Sequence, residues 1–480
     1  GFVSLSPKIQ LTPAGEELVT SKRKEEIFLR QLLKFQLPSP YHKPTDKAAE
    51  FWVKPYLEIF RLIRFFGSLK FDELRLFGLQ LTDYRQFDKV VSRIGQFRIE
   101  KARNKGAYKK FYKEYLHSEL RLIYSDRIQS GKTKTRETKN ASVTKFLSTQ
   151  ASNLRDYADA CVRYLRATGL VSISHIGKSL SITPEKIEEV DYFLKTTERA
   201  PCFIDNEKRY VDYLGNAELP QLLTDNRDLL VHKIQSEFPT LSIDYTLSLK
   251  ELKNILADEL ENRKDQYINN QVVAIKDYRL FEEINTTFEQ ILENSLYDNP
   301  LMLEWNTWRA MTMLDGGNIK ANLKFDDFGK PMSTAQGNMA DILCDYGDFG
   351  LTVEVTMQSG KRQYETEGEP VTRHLAKVKK GTDKPVYCLF IAPNINEACI
   401  AHFYALHKIN ISYYGGTTTI IPLPLKVFIK MLEDSYNASS VPEPKHVQSF
   451  FEFSNKLADE ASTEIDWYNK ITEKALNWLT

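Results

Sequence analysis

The spacing of hydrophobic and polar positions between residues 301 and 393 predicts a succession of helices and strands. Apolar residues from Leu301 to Met313 recur at helical spacing, with one carboxylate, Glu304, among them. A short segment from Ala340 to Asp345, a Gly347-Asp348 turn and an alternating segment from Leu351 to Thr356 then predict a β-hairpin. The continuous apolar run Val386–Pro393 is typical of a short buried strand followed by a turn.

Two further elements complete the order of this region. The segment Asn322–Asp326 is predicted to form a first strand before the hairpin. Pro370 is expected at the start of a basic helix over Val371–Lys380, because proline is favoured in the first turn of a helix. The predicted order is therefore helix, three strands, helix, strand.

Two similar patterns occur in the first 200 residues. Residues 1–5 and 8–12 predict a short hairpin, and a helix is expected to start at Pro13. Later, a helix over Asn153–Thr168 precedes a hairpin around Gly177 and a helix start at Thr183-Pro184-Glu185. Helix, two-stranded wing and helix are the outline of a winged-helix module, related to the helix-turn-helix readers of DNA. The first copy lacks the preceding helices, which predicts a missing N-terminal segment.

The region from about Asn206 to Asn299 is polar and has helical spacing. Apolar residues with mixed charges on the other faces recur over Ser248–Arg263 and Glu282–Leu296. These helices either connect two domains or extend the flanking cores, and the pattern alone favours neither reading.

Length and cysteine usage narrow the class of protein. A chain of 480 residues is long enough for two to four domains with substantial cores. Five cysteines without CxxC spacing predict reduced, mostly buried thiols rather than a disulfide framework or a zinc site. No apolar run approaches membrane-spanning length and no signal peptide is evident, so we expect a cytoplasmic protein without a membrane partner.

The formal net charge of +1 conceals a basic segment. Between Lys89 and Lys145 about 16 Lys or Arg accompany about 5 Asp or Glu, interleaved with aromatic residues. Such a run also occurs on solvated helix faces, but its length and the polar segment 129–136 favour a nucleic-acid partner. The candidate DNA contacts are Arg98, Lys101, Arg103, Lys105, Lys109, Lys110, Lys132, Lys134 and Arg136.

The predicted hairpin carries Asp341 and Glu354 on neighbouring strands, and a third acidic cluster, Glu367 and Glu369, follows closely. Two or three carboxylates on strands suffice to hold Mg²⁺, which keeps several of its waters, beside a phosphate. A metal held in this way lowers the pKa of its bound water and stabilises charge on the phosphate. Acidic residues at a hairpin end are about as often merely solvated as they are metal ligands. The order of the flanking elements distinguishes these two readings.

That order, together with a set of short motifs, resembles the catalytic domain of the AlwI-type restriction endonucleases. The motifs are Glu304-Trp305 with Trp308, Asp341, Glu354-Val355-Thr356, Glu367, Glu369-Pro370-Val371-Thr372-Arg373-His374 and Tyr387 to Pro393. This group of type IIS enzymes includes site-specific nicking endonucleases. The resemblance implies a PD-(D/E)XK nuclease fold with a mixed central sheet.

The resemblance also assigns roles to residues. It implies that Asp341 and Glu354 bind the metal, that Glu304 and Glu367 complete or support the acidic site, and that His374 lies near them or on the phosphate side. Two positions depart from the general nuclease pattern. Ala340 replaces a proline before Asp341, and Thr356 replaces the lysine expected two residues after Glu354. The attacking water would then be activated by the metal, by Glu367 or by a basic neighbour such as Lys361.

These inferences combine into a multidomain α+β protein. We expect a DNA-recognition region with winged-helix-like subdomains over residues 1–205, a helical linker over 206–290 and the α/β catalytic domain over 291–480.

The expected activity is Mg²⁺-dependent hydrolysis of double-stranded DNA, with Mn²⁺ as a substitute, at a fixed short distance outside an asymmetric site. Double-strand cleavage would require a transient homodimer or a second small catalytic subunit. The family also implies a cognate DNA methyltransferase in a prokaryotic restriction-modification system. Two alternatives stay open, namely a repair or junction-specific nuclease and a non-catalytic winged-helix regulator.

Overall fold

The computed structural model of the protein describes residues 1–4, 8–43, 45–136, 140–314, 317–439 and 441–479. The chain divides into two units, Gly1–Glu259 and Leu260–Thr480. The division falls inside one long helix, within the region 206–290 for which the sequence suggests a linker.

The first unit is mainly helical and contains two small antiparallel sheets. Its strands are β1 (Val3–Ser4), β2 (Gln10–Leu11), β3 (Leu69–Lys70), β4 (Val171–Ser174) and β5 (Ser179–Ile182). Its α-helices are α1 (Pro13–Thr20), α2 (Lys24–Lys34), α3 (Pro55–Phe66), α4 (Phe71–Leu76), α5 (Phe87–Arg103), α6 (Tyr108–Ile123), α7 (Ser125–Gln129), α8 (Val143–Arg166), α9 (Ile187–Thr196), α10 (Glu207–Gly215) and α11 (Arg227–Glu237), and α12 (Leu249–Lys276) continues into the second unit.

The two hairpins predicted in this unit are confirmed. Strand β1 pairs with β2, and the Thr12 hydroxyl caps α1 by accepting the Gly15 N–H. Strand β4 pairs with β5, and a short turn at Pro184–Lys186 leads into α9. Strand β3 adds to the other edge of β5, which gives the order β3-β5-β4. This third strand is only two residues long and was not predicted.

Helix α8 begins earlier than predicted. The predicted start at Asn153 is wrong, because Ser142 caps the helix by accepting the Lys145 N–H, and Phe146 and Leu147 are already buried. Between α4 and α8, α5 and α6 pack through aromatic rings such as Phe97 and Tyr115, whose centroids lie 5.1 Å apart. The aromatic residues of the basic segment therefore form its own small core.

The second unit is built around a five-stranded sheet. The strands of the whole unit, of which β7 and β8 form a separate two-stranded ladder, are β6 (Asn318–Ala321), β7 (Lys324–Phe325), β8 (Pro331–Ser333), β9 (Ile342–Asp345), β10 (Gly350–Val355), β11 (Val386–Ala392) and β12 (Ile420–Pro424). Its remaining α-helices are α13 (Phe281–Leu292), α14 (Asn299–Leu314), α15 (Lys361–Lys380), α16 (Glu397–Lys408), α17 (Leu425–Asn437), α18 (Pro444–Glu460) and α19 (Glu464–Ala475).

The strand order of the sheet is β12-β11-β10-β9-β6. Strands β6, β9 and β10 are antiparallel neighbours, whereas β10, β11 and β12 run parallel. All seven residues of β11 are buried, as expected for a central strand covered on both faces. The predicted mixed sheet and the predicted hairpin at Gly347 are confirmed.

Helices cover both faces of this sheet. On one face, Phe390 of β11 packs against Phe403 of α16, with ring centroids 5.4 Å apart. On the other face, Leu351 and Leu389 line a small apolar cavity with side chains of α14, α17 and α18. Helix α14 is buried at 14 of its 16 positions, and these include polar residues such as Asn306 and Arg309 as well as apolar ones.

The first strand of the sheet lies outside the segment predicted for it. The prediction of Asn322–Asp326 is wrong, because residues 318–321 pair with β9, and Lys324–Phe325 pairs instead with β8 in a separate ladder. Asn318 to Ala321 alternates exposed and half-buried positions, which is the period of an edge strand.

The predicted start of a helix at Pro370 is also wrong. Helix α15 begins at Lys361, and Pro370 lies inside it. The Gln363 amide holds the first turn by donating to the carbonyls of Gln358 and Asn394, both at 2.9 Å. Pro370 removes one backbone N–H donor from the helix, but the contacts of Gln363 already hold the first turn of α15. Glu367 therefore lies on a helix and not in a loop.

The predicted helices of the middle region and the predicted free thiols are confirmed. Helices α12 and α13 occupy the two segments with helical spacing between residues 248 and 296. The five cysteines are free thiols and four of them are buried. Within the ranges given above, no helix has both the length and the apolar character that a membrane span requires.

Candidate active site

Asp341 and Glu354 lie opposite each other on two adjacent strands. Ile342 pairs with Val353 in the register of β9 and β10, so the next positions along each strand, Asp341 and Glu354, are neighbours. Asp341 Oδ2 accepts the Val355 N–H at 2.8 Å, which fixes the carboxylate against β10. Glu354 is 6% exposed, so both strands direct an acidic group into a largely buried space.

Glu304 joins these two carboxylates from α14. Its side chain is almost completely buried in a helix that is otherwise apolar on most faces. Glu304 Oε2 accepts the N–H of Ala335 at 2.8 Å. Ala335 belongs to the loop between β8 and β9, so this hydrogen bond also attaches the loop to the acidic group.

Helix α15 supplies the fourth carboxylate and a histidine. Glu367 and His374 are two helical turns apart and therefore share a face. The Thr356 hydroxyl donates to Glu367 Oε1 at 2.8 Å, and His374 Nδ1 donates to Glu354 Oε1 at 2.8 Å. His374 Nε2 is buried and has no hydrogen-bond partner among the described residues.

Burial and mutual repulsion raise the pKa of three of these carboxyl groups. Burial, and then the charge of Asp341, raise the pKa of Glu304 to about 8. Burial, and then Glu354, raise the pKa of Asp341, while burial, Glu367 and Glu304 raise the pKa of Glu354. Several carboxylates withdrawn from water at one point are unfavourable unless protons or cations compensate their charge. The site therefore favours cation binding.

The pKa of His374 moves in the opposite direction. Burial lowers it first, and the charges of Arg373 and Lys377 lower it further. A lowered pKa keeps the imidazole neutral near pH 7. With its proton on Nδ1 toward Glu354, the ring has a lone pair on Nε2.

The donor set suits a hard divalent cation. Carboxylate oxygens are the ligands that Mg²⁺ and Mn²⁺ prefer. Each of the four carboxylates forms a hydrogen bond with a protein group through one of its oxygens. Among the described residues, no group of three or more His, Cys, Asp or Glu side chains is placed so that it could hold a metal ion by itself.

A cavity of about 320 Å³ opens onto the acidic groups. The four carboxylates, His374 and the loop from Thr334 to Met339 line it. Sequence reasoning missed this loop, in which Gly337-Asn338 is a turn signal but the contact of Ala335 with Glu304 depends on the path of the chain. Lys361, considered as a basic neighbour, lies at the first turn of α15, where its ammonium group is 3.4 Å from Glu365. It does not line the cavity.

The predicted DNA contacts all lie in the first unit and fall into two groups. Arg98 forms two 2.8 Å hydrogen bonds with the buried Glu73, and Lys101 lies over the Tyr108 ring at 4.3 Å. The remaining seven side chains are exposed, on the α5–α6 turn, on α6 and in the segment after α7. Those seven are Arg103, Lys105, Lys109, Lys110, Lys132, Lys134 and Arg136.

Comparison with known proteins gives one family and one solved structure of note. The sequence model described as AlwI restriction endonuclease matches residues 1–431. The solved small subunit of the heterodimeric restriction endonuclease R.BspD6I is 25% identical, with a TM-score of 0.33, over 41% of this chain and 95% of that subunit. No curated protein matches the chain.

Proposed function

This chain belongs to the AlwI restriction endonuclease family, and we propose that it is a type IIS or nicking enzyme that cuts at a fixed short distance outside an asymmetric site. A restriction endonuclease is a site-specific DNA nuclease, so double-stranded DNA is its substrate. The observation that carries the catalytic proposal is the convergence of Glu304, Asp341, Glu354 and Glu367 in one cavity, with raised pKa values at three of them.

Asp341 and Glu354 are the proposed ligands of Mg²⁺, for which Mn²⁺ substitutes. When bound, the ion supplies a water of lowered pKa and stabilises charge on the phosphate. Glu304 and Glu367 then bind a second ion or orient the attacking water. Hydrolysis would proceed in line and without a covalent intermediate.

The fold assignment that we propose is PD-(D/E)XK. Its support is the succession α14, β6, β9, β10, α15 and β11, with the acidic residues at the end of β9 and β10. Thr356 stands at the position of the usual lysine and donates to Glu367. We therefore assign the orientation of the water to Glu367. His374 lines the cavity, and we assign its Nε2 to a contact with the phosphate or the water.

For the first unit we propose a winged-helix subdomain that recognises DNA. Helix α3, strand β3, helix α4, helix α8 and the hairpin β4–β5 follow one another in that order, and the β3-β5-β4 sheet closes the module. Helices α5 to α7 are inserted between α4 and α8. The exposed cations of this insertion and of the segment after α7, from Arg103 to Arg136, are the proposed contacts to phosphates.

One acidic centre of this kind serves one strand at a time. Among the residues that the structure describes, we find a single such group of carboxylates. Nicking needs nothing more, whereas double-strand cleavage needs a transient homodimer or a second small catalytic subunit. A cognate DNA methyltransferase is the partner expected of a restriction system.

The decisive experiment incubates the protein with supercoiled plasmid and Mg²⁺ and sequences the ends produced. Asp341→Asn and a chelator should each abolish cleavage. Asp345 is an exposed carboxylate four residues further along the same hairpin, and Asp345→Asn should leave cleavage unchanged. Ends at a fixed distance from one short motif support the proposal.

Two other results would each favour a different function. Scattered ends, or ends confined to branched DNA, would favour a repair or junction nuclease that shares the acidic site. Intact plasmid with tight, site-specific binding would favour a winged-helix regulator without catalysis.

A further inference from the structure

Helix α15 carries three cations on one face, beginning next to the acidic cavity. Arg373, Lys377 and Lys380 are spaced four and three residues apart, which places them in one line along the helix. At about 1.5 Å of rise per residue they span roughly 10 Å. Lys377 and Lys380 are exposed and Arg373 is half-buried.

Neutral oxygens hold the two lysines in place. Lys377 Nζ donates to the Asn338 carbonyl at 2.9 Å, and Lys380 Nζ donates to the Tyr413 carbonyl at 2.8 Å. Lys380 also lies 5.3 Å from the centre of the Tyr413 ring. A carbonyl oxygen orients an ammonium group without cancelling its charge, so both lysines remain net cations at the surface.

Arg373 is held differently. Its guanidinium donates from Nε to both oxygens of Glu369 at 3.1 Å and from Nη1 to Asn338 Oδ1. Glu369 offsets its charge, and Asn338 links it to the loop that lines the acidic cavity. Arg373 therefore fixes the end of the line beside His374, and the two lysines supply the uncompensated charge.

The acidic cavity by itself repels a phosphodiester. A strand that enters it must be held by cations close by, and phosphates of one strand follow each other at about 3.4 Å along the duplex axis. A line of roughly 10 Å is therefore long enough to face more than one phosphate of a strand. The charge and the spacing of the line therefore match a length of sugar–phosphate backbone.

We propose that Arg373, Lys377 and Lys380 form a backbone track that grips the strand entering the acidic cavity, without regard to base sequence. The proposal rests on the nuclease function proposed above. It adds a second DNA-holding surface, on the catalytic unit itself, to the recognition surface of the first unit.

The test uses the full chain and a short duplex that contains the mapped cleavage site. Lys377→Gln/Lys380→Gln should raise KM about tenfold, and the loss should fall in KM rather than in kcat. In an Asp341→Asn background, which binds without cutting, the slope of log Kd against log salt should fall by about 2, because each lysine that neutralises a phosphate contributes about 1. The cleavage position should stay the same.

Two matched variants control for general charge and for folding. Lys426→Gln/Lys456→Gln removes two exposed lysines from α17 and α18, on the other side of the sheet, and should leave KM and the salt slope unchanged. Lys377→Arg/Lys380→Arg should restore both. If the double glutamine variant does not show the wild-type thermal transition, Lys380→Gln alone should still lower the slope by about 1.

The outcomes separate the two proposals. A wild-type enzyme that cuts, with a double glutamine variant of unchanged KM and salt slope, would overturn the backbone track. A wild-type protein that cuts no DNA would instead overturn the nuclease function on which the track depends.

Discussion

The hydroxyl of Thr356 donates to Glu367 Oε1 at 2.8 Å, and this hydrogen bond joins the end of β10 to the middle of α15. In the fold that we propose, Thr356 stands at the position of the usual lysine, and a neutral hydroxyl at this position holds a carboxylate. Thr356 also accepts the Gln358 N–H at 3.1 Å, which fixes its own rotamer. The pair therefore forms one preorganised unit, with Glu367 as its acidic end.

Replacing Thr356 tests that unit. Thr356→Val keeps the shape of the side chain but removes the donor, so the Glu367 carboxylate loses its orientation and kcat should fall about tenfold, the effect of one hydrogen bond. Thr356→Ser retains the hydroxyl and should keep most of the activity. Single-turnover cleavage of the mapped site measures both. Equal rates for the Val and Ser variants would show that the hydrogen bond has no part in catalysis.

The raised pKa of Glu304 predicts a pH-dependent stability. A folded-state pKa of about 8 lies above the ordinary value of 4.5, so the folded protein binds more protons between these limits. Without divalent cations, the contribution of Glu304 to the free energy of unfolding should therefore be fully present below about pH 4.5 and be lost as pH rises through about 8. Glu304→Gln should remove part of this loss and stabilise the cation-free protein at pH 8 by about 1 kcal/mol or more.

Denaturant unfolding at pH 6 and pH 8, with and without Mg²⁺, measures this effect. Mg²⁺ should stabilise the wild type at pH 8, because a ligand that binds only the folded state shifts the equilibrium toward it. Glu289 is an exposed carboxylate of α13, and Glu289→Gln is the matched control. It should change the unfolding free energy at neither pH. A Glu304→Gln protein with the same pH profile as the wild type would contradict the prediction.

The hairpin that carries Asp341 and Glu354 was predictable because its signals are local, namely a glycine turn between two short segments, the second of which alternates apolar and polar residues. The contributions of Ala335 and Asn338 were not predictable, since they depend on where a loop passes between two helices. Pro370 misled the helix prediction for a related reason. A proline marks a helix start by its local preference, but hydrogen bonds of Gln363 to the nearby Gln358 carbonyl and the distant Asn394 carbonyl hold the first turn of α15.

In the basic segment of the first unit, too, one property was predictable from the local sequence and another depended on the fold. Charge count predicted a DNA surface, but it could not separate cations that stabilise the fold from cations that remain available. Arg98 faces Glu73, which is buried, and lies over the Phe66 ring at 4.4 Å. Lys109 and Lys110 are exposed on the first turn of α6. Only the three-dimensional pairing distinguishes these positions.

That distinction gives a third prediction. Arg98→Gln leaves the buried Glu73 carboxylate without its main partner and should destabilise the protein by about 2 kcal/mol. Lys109→Gln/Lys110→Gln should leave the unfolding free energy unchanged but weaken binding to specific and non-specific DNA alike, with a salt slope lower by about 2. Denaturant unfolding and DNA titration at several salt concentrations measure the two effects. If Arg98→Gln reduced DNA affinity at full stability, the structural role assigned to it would be wrong.

Nδ1 of His374 forms a hydrogen bond with Glu354, whereas Nε2 has no hydrogen-bond partner among the described residues, and two substitutions separate the roles of the two nitrogens. Asn at position 374 can reproduce the Nδ1 donor to Glu354 but has nothing at Nε2, whereas Ala removes both. His374→Asn should therefore keep the Mg²⁺ dependence of cleavage near that of the wild type and lower kcat at least about tenfold. His374→Ala should lower kcat and also raise the Mg²⁺ concentration needed, because Glu354 loses the donor that orients it. Titrating Mg²⁺ at saturating DNA measures both quantities. Wild-type kcat in the Asn variant would mean that Nε2 contacts neither the water nor the phosphate, and that His374 acts only by positioning Glu354.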